Sequence, residues 1–308
     1  MAKNFPVKGN IPAVVTPFGK NGELRIDDFA AIVKWHLARG VDGLCLAGDN
    51  GEAWNLTLEE RTLIAETAVK IAAKRVPVVM GASSTTAKQT IVYAENAAKA
   101  GVDAIMVGPQ SYVMKATTKE LVTRMETIHK AVPLPIVLYN SPRRTNISLT
   151  IDSMRAITEA VNIIAIKEAS RDFFYITHVI QNFKDKLAVL VGAAPYIIPG
   201  VQLGAAGFIS SGPELLGDRA QKIMPSVKKP LDDEMKEIQY AFTRIYELLM
   251  ALGTWPAGLK AAHILIGQPA GIPREPVLPL DDAGVASLAS LLAELRREPI
   301  GATRAAAE

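Results

Sequence analysis

The chain predicts an α/β fold, a (β/α)8 barrel of the TIM type with a helical C-terminal extension, on three observations. Eight short runs rich in β-branched and apolar residues occur in order, each followed by a longer helix-like stretch. The runs are near-continuously apolar rather than alternating, the pattern of strands buried on both faces of a parallel sheet. The count closes at eight and no G-x-G-x-x-G follows the first run, which favours a closed barrel over an open doubly wound sheet.

In order, residues 11–18 (IPAVVTPF) form the first strand-like run, with a helical stretch over 26–39. GLCLAG (43–48) precedes a helix opening at Thr57, where T-L-E-E has the form of a capping box. VPVVMG (76–81) precedes a helix over 86–100, DAIMVGP (103–109) one over 118–131, and LPIVLYN (134–140) a short one from Leu149. IIAIKE (163–168) leads to 172–183, LAVLVG (187–192) to 195–203, and AGFISS (206–211) to a helix from Pro213. Beyond residue 228 no strand-like run remains, and 232–252, 256–266 and 281–297 read as helices around the proline-rich GIPREPVLPL. The chain therefore divides into a barrel, residues 1–228, and a helical extension, residues 229–308, whose tail from Glu298 reads as frayed.

A formal net charge of +3 over 308 residues, with both signs interspersed, gives neither a nucleic-acid footprint nor a basic membrane-surface patch. The single cysteine, Cys45, lies in an apolar run and reads as core packing in a reducing compartment. The N-terminal MAKNFPVKGN lacks a signal pattern, and no apolar stretch reaches the ~18 residues of a spanning helix. The expectation is a soluble, cytoplasmic protein with no membrane or nucleic-acid partner.

Barrel chemistry sits at the C-terminal strand ends. The sixth run, NIIAIKEAS, ends on Lys167-Glu168. Desolvating an ammonium favours the neutral amine, the form that attacks a carbonyl to give a Schiff base. Tyr139 ends the neighbouring fifth run at the same height, placed to move protons to and from a carbinolamine. After the second run, Gly48 and Gly51 bracket a tight turn, GDNGE, whose backbone N–H groups could bind a carboxylate.

Other residues read more blandly. Glu52 fixes the turn, Glu168 either tunes Lys167 or faces out, and Arg143 is a solvated neighbour of Arg144. Trp54 either walls the pocket or packs, and Ser83-Ser84-Thr85 is a capping turn with no histidine to activate a nucleophile. Met114 and Lys115 lie in the long loop after the fourth run, within reach of a substrate. The histidines His36, His129, His178 and His263 fall on separate helices far apart, against a metal cluster.

Several motifs together resemble the dihydrodipicolinate synthase / N-acetylneuraminate lyase family of Schiff-base (class I) lyases over residues 11–280. They are VTPF, G-x-x-G-E at 48–52, Y-N-x-P-x-R-T at 139–145, the I-K-E of the sixth run, G-A-A-G-F-I-S in the eighth, and R-x-P-x-x-P-L at 274–280. The resemblance implies a homotetramer, a dimer of dimers, with no metal or organic cofactor. It makes Lys167 the Schiff-base lysine and Tyr139 the proton-relay tyrosine. The backbone of Asp49 and Asn50 in the Gly51 turn would hold the carboxylate of a 2-oxo acid, and Ile209 would line the lysine pocket. Tyr112 matches the tyrosine that reaches a neighbouring subunit's site, although its loop is two residues longer than the usual spacing. Arg144 matches the arginine that receives the aldehyde substrate's carboxylate in the synthases. The turn departs from the synthases' G-T-T-G-E by carrying Asp49-Asn50. That departure favours an aldolase or dehydratase acting on pyruvate or a hydroxylated 2-oxo acid. The alternatives are dihydrodipicolinate synthase itself, a metal-dependent aldolase on the same barrel, and a non-catalytic sugar-acid-binding barrel.

Overall fold

The computed structural model describes residues 6–226 and 230–296. Each strand-like run contributes a strand to one parallel sheet among the described residues: β1 (Gly9–Pro12), β2 (Leu44–Leu46), β3 (Val78–Gly81), β4 (Ala104–Val107), β5 (Ile136–Asn140), β6 (Ile163–Glu168), β7 (Ala188–Val191) and β8 (Gly207–Ser210). They pair in the order β1-β8-β7-β6-β5-β4-β3-β2. A parallel Ala13–Cys45 bridge joins β1 to β2 and closes the ring, with Val14 N–H donating to the Cys45 carbonyl at 2.9 Å.

The outer layer is α1 (Ile26–Ala38), α2 (Leu58–Ala72), α3 (Ala87–Lys99), α4 (Thr118–Ala131), the single turn α5 (Pro142–Thr145), α6 (Ile151–Ala160), α7 (Phe173–Phe183) and α8 (Ile197–Gln202). Their starts are written locally. Thr57, Thr86, Thr117, Thr150 and Asp172 each accept a backbone N–H from the first turn of α2, α3, α4, α6 and α7. Such caps contribute about 1 kcal/mol each, and the capping box read at Thr57 closes with Glu60.

Two cores follow from the period-two alternation of strands. Ile11, Cys45, Val79, Met106, Val137, Ala165, Leu190 and Ile209 fill the barrel, while Leu46, Met80, Leu138, Ile166 and Phe208 point outward to the helices. Cys45 is thus interior packing, and burial pushes its thiol pKa up. The same alternation sends Tyr139, two residues past Val137, and Lys167, two past Ala165, into the barrel mouth.

Two expectations need correction. The first strand stops near Ala13 rather than running to Phe18. Phe18 pairs instead with Leu24 and Ile272. After β8 the expected helix from Pro213 is a 3-10 segment, Pro213–Lys222, broken at Gly217 (φ 63°), before the short α9 (Ile223–Ser226). The extension is α10 (Asp233–Ala251), α11 (Ala257–Leu265) and α12 (Asp282–Arg296). The expected boundary at 228/229 and the tail from Glu298 lie outside the described residues. No helix among the described residues is long and apolar enough to cross a membrane.

Candidate active site

Strand register sets Tyr139 directly beside Lys167. Lys167 is only 6 % exposed, and its Nζ lies 4.5 Å from the centre of the Tyr139 ring. Among the described residues it has no carboxylate within ion-pair distance. A buried lysine without a counter-ion is costly to keep, the signature of a group retained for chemistry. The Tyr139 hydroxyl donates to Asp49 Oδ2 at 3.2 Å, and Arg144 Nε donates to the same oxygen at 2.8 Å. Burial, reinforced by the Asp49 charge, holds the Tyr139 phenol well above the ordinary tyrosine range, so it keeps its proton. These groups, with Ile209, Gly192 and Ser210, line a cavity of about 330 Å³ at the C-terminal end of the barrel.

The turn after β2 supplies the opposite wall. The backbone N–H groups of Asp49, Asn50 and Gly51 donate to no protein acceptor among the described residues. The Asn50 side chain is fully engaged, donating to the Ala13 carbonyl at 3.0 Å and accepting from Trp255 Nε1 at 2.9 Å. Gly51 is set back from the cavity, and its carbonyl accepts from Thr16 Oγ1 at 2.9 Å. A Cβ there would sit 3.1 Å from both Thr16 Oγ1 and the Val14 carbonyl, which is why the tight turn takes glycine.

Glu52 anchors the turn from below, as its reading expects. It is fully buried at φ 50° and pairs with buried Lys260 at 2.5 Å, while its second oxygen accepts from Arg274 N–H at 2.9 Å. Burial lowers the Lys260 pKa to about 8, partly offset by the Glu52 charge. Glu168 does not face out. It is buried, accepts from Asn140 Nδ2 at 2.7 Å and Ser170 N–H at 2.6 Å, and ties β5 to the loop after β6.

The extension closes the cavity, and strand-end reasoning missed it. Trp255, Thr254, Tyr246 and Met250 line the cavity from α10 and the α10–α11 loop, as does Arg171 from the loop after β6. A tryptophan beside a proline in a short interhelical loop is the one sequence signal that could have pointed there. Arg143, read as a solvated neighbour, also lines the cavity. Trp54 lies over Arg144 (5.8 Å) and, with Ser83, Ser84 and Thr85, faces a second hollow on the other side of Asp49. Tyr112 is not brought into this chain's own cavity: it is 91 % exposed, beside exposed Met114, at φ 70°. His36 and His263 are not far apart, because α1 and α11 meet. Their rings lie 6.2 Å apart in the core, with Glu214 3.3 Å from His263. Among the described residues no cluster of three or more His, Cys, Asp or Glu is arranged to hold a metal ion.

A barrel that delivers a buried lysine and a neutral tyrosine to its C-terminal mouth is the frame of an aldolase-type lyase. The dihydrodipicolinate synthetase family model matches residues 6–295, and the chain belongs to that family. It is 30 % identical to a DapA-like lyase of Rhizobium meliloti over 96 % of this chain and 98 % of the relative. It is 32 % identical to the 4-hydroxy-tetrahydrodipicolinate synthase of Exiguobacterium sibiricum over 91 % and 95 %. Among solved structures it superposes with a TM-score of 0.87 on YagE, a prophage protein of the same family from E. coli K12 in complex with pyruvate. That pair is 29 % identical, covering 94 % of this chain and 99 % of YagE.

Proposed function

We propose that the protein is a Schiff-base-forming lyase of the aldolase or dehydratase type, acting on pyruvate or a hydroxylated 2-oxo acid. The observation that carries this reading is Lys167, buried without a counter-ion beside Tyr139. The Lys167 amine attacks C2 of the 2-oxo acid, and Tyr139 gives its proton to the carbinolamine oxygen, which leaves as water. The resulting iminium accepts the electron pair released when the C3–C4 bond breaks, or when a C3 proton is lost ahead of a C4 leaving hydroxyl. Asp49, accepting from Tyr139, orients the phenol and offers a basic oxygen to a substrate hydroxyl. The free N–H groups of Asp49 and Asn50 hold the C1 carboxylate, and Ile209 walls the lysine.

Pyruvate in the YagE complex supports the 2-oxo acid. The synthase reading has the name of the Exiguobacterium relative and Arg144 behind it. Against it, Arg144 is drawn to Asp49, where the synthases carry a hydroxyl. We place the protein in the cytoplasm as a homotetramer, with exposed Tyr112 and Met114 as the surface by which one subunit completes a neighbour's site.

The test is solvent exchange. Pyruvate in D2O should exchange its methyl protons with the wild type, as an enamine requires, and not with Lys167→Ala. Exchange no faster than buffer would instead favour the non-catalytic sugar-acid-binding barrel.

A further inference from the structure

We propose that Arg171 receives a second carboxylate at the far end of the substrate, so that the preferred substrate is a 2-oxo dicarboxylate. This rests on the Lys167 reading above.

Charge is the first argument. The cavity walls carry Lys167, Arg143, Arg144 and Arg171 against a single carboxylate, Asp49. That carboxylate already serves Arg144 and Tyr139 through one oxygen. A monoanionic 2-oxo acid leaves more of that positive excess uncompensated than a dianion does, so a dianion is the better electrostatic match. Arg144 is the less available receptor, since its Nε is committed to Asp49.

Backbone strain is the second argument. Arg171 sits at φ 65°, a left-handed conformation that side chains other than Gly, Asn and Asp seldom adopt. Its carbonyl is fixed there by the Tyr196 hydroxyl at 3.2 Å. The strain has a visible result: the guanidinium is carried over the Tyr246 ring, 4.6 Å from its centre, and against Met250 Sδ at 3.3 Å. Neither partner neutralises it, and among the described residues it has no carboxylate within ion-pair distance. A stacked guanidinium keeps its planar fork oriented, the geometry that takes a carboxylate bidentately.

Topology is the third argument. In the closed ring, β2 and β6 are four strands apart in either direction, so their loops face each other across the mouth. A substrate held by its C1 carboxylate at the β2 turn and by C2 at Lys167 extends its remaining carbons toward the β6 loop, where Arg171 waits.

The test compares 2-oxoglutarate with 2-oxopentanoate, which share five carbons and differ in the terminal carboxylate. Calorimetric titration of the wild type should favour 2-oxoglutarate by at least about tenfold, the worth of one charge-assisted pair. Glycine adopts the Arg171 backbone freely, so Arg171→Gly should keep the fold and bring the two affinities within about threefold of each other. Arg171→Lys should fall between them, having charge without the fork. Arg171→Asn, also at home at positive φ, repeats the comparison should Gly loosen the loop. If Arg171→Gly and Arg171→Asn keep the wild-type ratio, the assignment is overturned. A wild type that traps pyruvate on Lys167 under borohydride but binds both acids equally refutes Arg171 alone. Failure to trap either pyruvate or 2-oxoglutarate refutes the Lys167 reading and this proposal together.

Discussion

Removing the Lys260 ammonium while leaving Glu52 in place should destabilise the protein severely and loosen the substrate turn. Both side chains are shielded from water: they form an ion pair with one another, and the 272–274 backbone adds two hydrogen bonds, Lys260 Nζ to the Ile272 carbonyl at 2.8 Å and Arg274 N–H to Glu52. Lys260→Met strands a buried carboxylate, which costs about 3–5 kcal/mol. The pair itself has little net value, because burial lowers the Lys260 pKa to about 8 despite the Glu52 charge. Glu52→Gln/Lys260→Met should therefore recover most of the loss, giving a coupling of about 2 kcal/mol or more. The sign of the pH dependence follows. The folded pKa lies below the unfolded value, so the unfolded chain binds more protons between pH 8 and 10.5. Stability from this group rises across that window by up to about 3 kcal/mol, and Lys260→Met should lack the rise. Urea unfolding of the four proteins of the cycle, at neutral and alkaline pH, measures each quantity. A Lys260→Met variant within about 1 kcal/mol of wild type, or a double variant showing simple additivity, would refute the reasoning.

Further outcomes follow from the same geometry. Tyr139→Phe should lower kcat by about 10²–10⁴-fold without abolishing 2-oxo acid binding. Because its phenol is held well above the usual range, the wild-type pH–rate profile should show no tyrosine limb below pH 10. Trp255→Phe strips the 2.9 Å bond from Asn50 Oδ1 and should raise KM by about tenfold, the cost of an unsatisfied buried acceptor, with a smaller change in kcat. His36 is held neutral by burial, its pKa lowered to about 3 against the pull of Glu214. The unfolded chain takes up that proton first, so stability falls as pH drops from 6.5 toward 3. Between pH 7 and 4.5 the wild type should lose about 2–3 kcal/mol more than His36→Leu in urea unfolding.

What could be read in advance followed from local rules. Strand periodicity carried Tyr139 and Lys167 to the mouth on the inward face, and Thr57 with Glu60 announced its helix. Asp49 was legible as a departure, but not its consequence, since the Arg144–Asp49 pair joins loops after β2 and β5. The remaining features arise where chain segments distant in sequence meet. Trp255 reaches Asn50 because the extension folds over the mouth, and Lys260 reaches Glu52 for the same reason. His36 and His263 sat on separate helices in the sequence, and only the packing of α1 against α11 brings them together. Arg171 was overlooked because its role depends on a left-handed backbone that nothing in S-R-D signals.

The most direct test of the central claim is borohydride reduction of the enzyme with pyruvate, followed by intact and peptide mass spectrometry. A pyruvate-sized adduct confined to Lys167, and missing from Lys167→Ala, is the predicted result. Reduction that leaves Lys167 unmodified with pyruvate and with longer 2-oxo acids, or that marks another lysine, would contradict it.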